Sequence, residues 1–399
     1  MKYPLLSNAF NKKDIQCGIN VLKSKQITMS RITYNFEKNF AKKNGSKYAV
    51  MTNSGSSANL LALSAITNPV FSKRLYPGDE VLIPVICWST SLWPILQHQL
   101  KPVFVDVELN NFNICLEDLE KKISKKTKAI LLIHVLGTSV DMIKLNKIVK
   151  KNNLLLIEDT CESLGAKYNK KSLGTYGNFG TYSFYYSHQI TSGEGGMIVC
   201  NDQSHYNLLK TLRSHGWSRN IKLSKKFLNE YKNIDQRFLF INSGYNLRPT
   251  EIQSAIANNQ FKRLKEFMKI RDDNRKLIIN TLKKHKNWKD QFRFVTLTNN
   301  IQPSWFGLPI LINKKFKTKK QRFLKILNKQ GIENRPILSG NFTNQPANKL
   351  FNLNPKKDKF KNAQVIEDLG FFIGLHTQKL SLKDAKYLAN SLLKIDKLR

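Results

Sequence analysis

Acidic side chains are scarce in this 399-residue chain, with 28 Asp and Glu against 66 Lys and Arg and a formal net charge of +38. Clustered cations would point to nucleic acid, because they release counterions from a phosphate backbone. The lysines are instead dispersed in short groups such as Lys121-Lys122, Lys225-Lys226, Lys314-Lys315 and Lys356-Lys357. No helix-turn-helix signature, zinc finger or basic segment interleaved with stacking aromatics accompanies them. They read as solvated lysines with a mild benefit for anionic substrates, so no nucleic acid is expected as partner. Cysteine is also sparse, with five residues at 17, 87, 115, 161 and 200 and no CxxC or other metal-ligand spacing. That pattern argues against a disulfide framework and a metal site, and fits a reducing compartment. No segment approaches the ~18 continuous apolar residues of a membrane span, and the N-terminal apolar run is too short for a signal peptide. The expectation is a cytoplasmic protein that does not engage a membrane.

What is present is ordinary globular composition, 41% hydrophobic and 24% charged, at a length sufficient for two domains. Apolar runs at 48–52, 80–84, 102–106, 129–134, 154–158, 181–184 and 197–200 alternate with amphipathic segments such as 116–123 and 143–150. This predicts an α/β domain with a mainly parallel sheet. After about residue 250 the pattern changes to one or two helices over 252–275, a strand candidate at 305–312, and helices near 319–330 and 382–394. Residues 1–250 are therefore expected to form a large α/β domain and 251–399 a smaller α+β domain.

Three local features carry chemistry. Asn53-Ser-Gly-Ser-Ser57 ends a strand and opens a helix over 58–66; free N–H groups and a dipole end suit it to a phosphate, although a serine-rich N-cap can be only an N-cap. Asp159 follows the strand 154–158, at the sheet edge where α/β enzymes place their sites, or else it caps the next helix. His188 lies in Gly180-Thr-Tyr-Ser-Phe-Tyr-Tyr-Ser-His188-Gln-Ile-Thr-Ser-Gly193-Glu-Gly-Gly196, and an imidazole there can carry protons near neutral pH. No lysine occurs between Lys171 and Lys210.

The His188 segment closely resembles the cofactor-anchoring segment of the DegT/StrS family of pyridoxal-phosphate sugar aminotransferases, and the resemblance runs from Ile27-Thr-Met to the Gly370–His376 segment. It implies the fold-type-I α/β architecture of that family, with a mainly parallel central sheet and a smaller C-terminal α+β domain. The family holds its cofactor as a Schiff base on a lysine where this chain has His188. Only a primary amine can make that bond, so the resemblance implies pyridoxal or pyridoxamine phosphate held noncovalently, with His188 as the catalytic acid and base. Within the family that replacement marks the nucleotide-sugar 3-dehydratases, which remove a hydroxyl from a 4-keto-6-deoxyhexose in 3,6-dideoxysugar synthesis. Glutamate is the implied amino donor, and the branch most resembled acts on GDP-4-keto-6-deoxymannose.

The same resemblance assigns Gly55, Ser56, Ser57 and Ser183 to the cofactor phosphate and Asp159 to the pyridine nitrogen. It assigns Trp88 to stacking on the ring; the other reading of Trp88 is a core tryptophan. Glu162 stands where aminotransferases of the family commonly carry Gln or His, a departure that would tune the ring hydroxyl or the sugar pocket. Asn246, in Gly244-Tyr-Asn-Leu-Arg248, matches an asparagine that reaches the partner's phosphate, which implies a homodimer with shared sites. His215, Arg219 and Arg335 are candidates for the nucleotide-diphosphate sugar, since arginine suits a diphosphate; each is equally readable as a surface or interface residue. Other readings stay open: a CDP-sugar dehydratase, a dehydratase using an iron-sulfur cluster, and a nonenzymatic nucleotide-sugar sensor.

Overall fold

The structure is a computed structural model that describes residues 2–7, 9–219, 221–353 and 360–398; Lys356-Lys357 lies outside them. Seven strands build the main sheet: β1 (Tyr48–Thr52), β2 (Glu80–Pro84), β3 (Lys101–Val105), β4 (Thr127–Ile133), β5 (Leu155–Asp159), β6 (Phe179–Ser183) and β7 (Gly196–Cys200). Their order is β1-β7-β6-β5-β4-β2-β3. Pairings from β3 through β2, β4 and β5 to β6 are parallel, whereas β7 runs antiparallel to both β6 and β1. The expected mainly parallel α/β sheet is thus present. Strands β2, β5, β6 and β7 are buried along their whole length, which is why β2 and β7 and the start of β5 read as apolar runs rather than as alternating ones.

Boundaries moved by one to three residues in places that matter. Asp159 is the last residue of β5 rather than the first beyond it. The helix after β1 starts at Gly55, not Ala58, with Ser54 as its N-cap accepting from the Ser57 amide. The pattern over 252–275 resolves into two helices, Glu251–Phe261 and Leu264–Lys283.

A second sheet is antiparallel throughout, with Phe292–Phe294, Gly307–Ile312, Gly370–Gly374 and Asn334–Arg335 in that order. One continuous hydrophobic core runs from the helix Gly55–Ile66 and strands β2 and β4 to this sheet, through Phe104, Trp305, Phe342 and Phe371. We propose a domain boundary near residue 250, with the helix Glu251–Phe261 lying across it. Buried Glu251 accepts the Ser30, Ile32 and Thr33 amides at 2.7–2.9 Å and so caps the helix Arg31–Asn44, whose own N-cap Ser30 makes no side-chain bond. No helix among the described residues is long and apolar enough to cross a membrane.

Candidate active site

Because β7 is antiparallel to both neighbours, β1 and β6 run the same way, and their carboxyl ends meet at one sheet edge. Thr52 and Ser183 both pair with Gly196. The helix Gly55–Ile66 starts at that edge, so its first amides lie beside Ser183. A Cβ placed on Gly55 would stand 2.5 Å from Ser183 Cβ and 3.0 Å from both Ser183 Oγ and Cys161 Sγ. Only glycine allows this approach. Ser57 donates from Oγ to Asn53 Oδ1 at 2.6 Å, and Ser56 Oγ lies 2.7 Å from Thr90 Oγ1. The helix N-terminus, Ser56 and Ser183 therefore make one polar cup.

Next to the cup, Asp159 is 4% exposed and its carboxylate accepts three hydrogen bonds. Asn59 Nδ2 and Ser91 Oγ donate to Oδ2 at 2.8 and 2.7 Å, and the Cys161 amide donates to Oδ1 at 3.1 Å. Thr181 Oγ1 in turn donates to Asn59 Oδ1 at 2.6 Å, which fixes the amide so that its nitrogen faces the acid. Ser91 belongs to the first turn of the helix Ser89–Gln97, for which Trp88 is the N-cap. That turn is tied to both Asp159 and Ser56, so Trp88 stands over the same region. At 56% exposed it is not a core tryptophan.

Glu162 sits one turn beyond Asp159 and accepts the Leu136 amide at 2.9 Å. Burial, opposed by that hydrogen bond and reinforced by the Asp159 charge, pushes its carboxyl up to about 8. In its protonated form it can donate a hydrogen bond. Leu136 holds a left-handed φ of 50° to present its amide, a conformation that costs on the order of 1 kcal/mol in a residue with a Cβ. Cys161 is no nucleophile here, because burial, then Asp159, hold its thiol well above the usual range.

His188 lies on the loop that joins β6 to β7. Its ring meets the edge of Phe306 at 5.0 Å between centroids, at 82°. Nδ1 is buried without a hydrogen-bond partner. Burial first, and then the Arg271 charge, push the imidazole down to about 3, so it is uncharged at pH 7.

Three of the other predicted residues form a second cluster at the same end. Ser214 bridges to Asn246, and the His215 amide donates to Tyr245 O at 2.7 Å. The Arg219 guanidinium lies 4.2 Å from the Trp217 ring, with Arg248 at 5.4 Å from the same ring and donating to Asn246 Oδ1 at 3.0 Å. Asn53 N–H donates to Leu247 O at 3.0 Å, which joins this cluster to the phosphate cup. Burial, then Arg248, lower the His215 imidazole. Arg335 is placed differently: its guanidinium pairs with Glu333 and half its side chain is exposed. Its segment nevertheless reaches the Trp88 turn, because Ser339 Oγ donates to Cys87 O at 2.5 Å and the Phe342 amide to Val85 O at 3.0 Å.

Sequence reasoning missed Asn59, Ser91, Gln189 and Arg271. Asn59 was recoverable as the one amide in the buried face of an otherwise small and apolar helix. Ser91 and Gln189 carry no such signal; their partners lie 68 residues away for Ser91 and 27 and 115 residues away for Gln189. Among the described residues no group of three or more His, Cys, Asp or Glu is arranged to hold a metal.

The model of the DegT/DnrJ/EryC1/StrS aminotransferase family matches residues 8–393. The chain belongs to that family. It is similar to the GDP-4-keto-6-deoxy-D-mannose 3-dehydratase of Escherichia coli O55:H7, 37% identical over 95% of this chain and 97% of the relative. The enzyme of the same name from Yersinia pseudotuberculosis is 35% identical over 99% of both chains. A crystal structure of GDP-4-keto-6-deoxymannose-3-dehydratase with a trapped PLP-glutamate geminal diamine superposes with a TM-score of 0.87 at 36% identity, covering 98% of this chain and 100% of that one. The DegT/DnrJ/EryC1/StrS enzymes are pyridoxal-phosphate dependent, and the residues present suit such a group. The cup offers amides and hydroxyls to a phosphate, Asp159 offers a fixed carboxylate, and Trp88 an exposed aromatic face. Gly55→Ala is expected to weaken pyridoxal phosphate binding about 10- to 100-fold in a fluorescence titration, since overpacking of this kind costs about 1–3 kcal/mol. An unchanged Kd would remove the cup from the cofactor site.

Proposed function

We propose that this chain is a 3-dehydratase of a GDP-linked 4-keto-6-deoxyhexose, using pyridoxamine phosphate held without a covalent bond and glutamate as amino donor. The observation that carries the reading is His188, a neutral imidazole on the β6–β7 loop with a buried, unpartnered nitrogen. When bound, the cofactor supplies a primary amine for the sugar C4 ketone and a pyridine ring that withdraws electrons. Asp159, fixed by Asn59 and Ser91, holds the ring nitrogen protonated. Glu162, as a neutral acid, donates to the ring hydroxyl. Ser56, Ser57, Ser183 and the Gly55 amide hold the phosphate, and Asn246 completes the same site in a partner subunit, which makes the protein a homodimer with shared sites. His188 removes a proton from the cofactor methylene and returns one to the C3 hydroxyl as it departs. His215, Arg219 and Arg335 receive the nucleotide diphosphate and sugar. Over one cycle the sugar exchanges its C3 hydroxyl for hydrogen, glutamate becomes 2-oxoglutarate, and ammonia is released; water cancels.

The test is mass spectrometry of GDP-, CDP- and dTDP-4-keto-6-deoxyhexoses incubated with the protein, pyridoxal phosphate and glutamate. The expected result is a 3-deoxy-4-keto product from the GDP sugar with one ammonia and one 2-oxoglutarate per turnover, in protein purified without iron. A 4-amino sugar with no ammonia would make the chain an aminotransferase, binding without turnover would make it a sensor, and dependence on an added cluster and reductase would replace the proposed electron source.

A further inference from the structure

A histidine that makes no bond to its cofactor is positioned only by the protein around it. On one side of His188, Gln189 Nε2 donates to Ser304 O at 3.0 Å and also to Glu162 O. On the other side stands Arg271, in the helix Leu264–Lys283, 1% exposed and without a carboxylate partner among the described residues. Its NH2 donates to His188 O at 3.1 Å, and NH1 donates to Trp305 O at 3.1 Å and, at 3.5 Å, to Phe306 O. A buried guanidinium without a counter-ion is costly, and here only carbonyl dipoles offset it. Residues 264, 267, 271, 274 and 278 form the buried stripe of that helix. Arg271 therefore occupies a core position where an aliphatic residue would pack at lower cost.

We propose that Arg271 is a positioning residue for His188: one guanidinium holds the His188 carbonyl together with the backbone of Phe306, the ring against which the imidazole packs. The planar fork is what permits this, since it spans three carbonyls in fixed directions; a lysine ammonium could not hold the same three at once. Arg271 touches neither substrate nor cofactor in this proposal and acts only through His188. The inference rests on the proposed role of His188 in catalysis.

A double-mutant cycle tests it. Arg271→Met is expected to lower kcat about 10- to 100-fold in the parent, because small misplacement of a catalytic group costs that much, with KM for the sugar and Kd for pyridoxal phosphate nearly unchanged. In a His188→Asn background the same change should cost less than about 2-fold, since groups acting as one unit are not additive. An equal loss in both backgrounds, or no loss in the parent, would overturn the proposal. If Arg271→Met does not fold, Arg271→Lys is expected to follow the same pattern more weakly, and parent-like kcat in that variant would overturn it. If the parent converts no 4-keto sugar, the reading of function has failed but the clamp is still measurable. Hydrogen–deuterium exchange in residues 184–192 should then quicken in Arg271→Lys while 196–200 stays protected, and unchanged exchange in 184–192 would overturn the clamp.

Discussion

Replacing His188 with asparagine is expected to lower sugar turnover about 100- to 10,000-fold, the usual contribution of a placed general base, while pyridoxal phosphate still binds. The converse variant, His188→Lys, places a primary amine at position 188. Borohydride reduction with pyridoxal phosphate should then add one phosphopyridoxyl group to that variant by intact mass and none to the parent active site. Near-normal turnover in His188→Asn, or a stoichiometric adduct on an active-site peptide of the parent, would remove the proposed role. An imidazole in the unfolded chain takes up its proton near 6.5, whereas burial and Arg271 hold that of folded His188 at about 3. The stability contributed by the neutral ring is therefore complete above pH 6.5 and is lost as pH falls toward 3. Melting temperatures of the ligand-free parent should accordingly fall more steeply than those of His188→Asn between pH 7 and 5.

Asp159→Asn is expected to cost about 100- to 1,000-fold in kcat, the scale seen when one preorganised electrostatic group is removed from a reacting centre. The amide is isosteric but carries no charge to hold a ring nitrogen protonated. Asp159→Ala should lose stability as well. It leaves Asn59 Nδ2, Ser91 Oγ and the Cys161 amide without their acceptor, and each unsatisfied buried donor costs about 1–3 kcal/mol. Steady-state kinetics and thermal melts separate the two effects. If Asp159→Asn keeps parent kcat, the carboxylate is a structural acceptor for those three donors and nothing more.

Part of the candidate site is legible because its residues are tied to local punctuation. Gly55 to Ser57 lie where a strand turns into a helix and Asp159 at the end of an apolar run, and both boundaries are written in a few consecutive residues. Trp88, Arg335 and the cluster of His215, Arg219 and Asn246 were assigned only through family resemblance. Their placement depends on long-range pairings such as Ser214 with Asn246 and Asn334–Arg335 with the Phe372–Ile373 strand, which no local pattern encodes. The boundary errors have the same origin. The helix after β1 begins at Gly55 because Ser54 caps it and Ser183 leaves room for nothing larger, a condition set 128 residues away.

The sequence by itself determined the alternation of strand and helix, the sheet's mainly parallel character and an imidazole at 188 with no lysine between 171 and 210, since each rests on side-chain period or on residue identity. Only the tertiary structure decided what state those residues are in. The carboxyl of Glu162 is pushed up to about 8 and the imidazole of His188 down to about 3 by the solvent they have lost and by the charges of Asp159 and Arg271 beside them. Desolvation and proximity belong to three-dimensional neighbours, and a carboxyl or an imidazole reads the same along the chain whether it is buried or not.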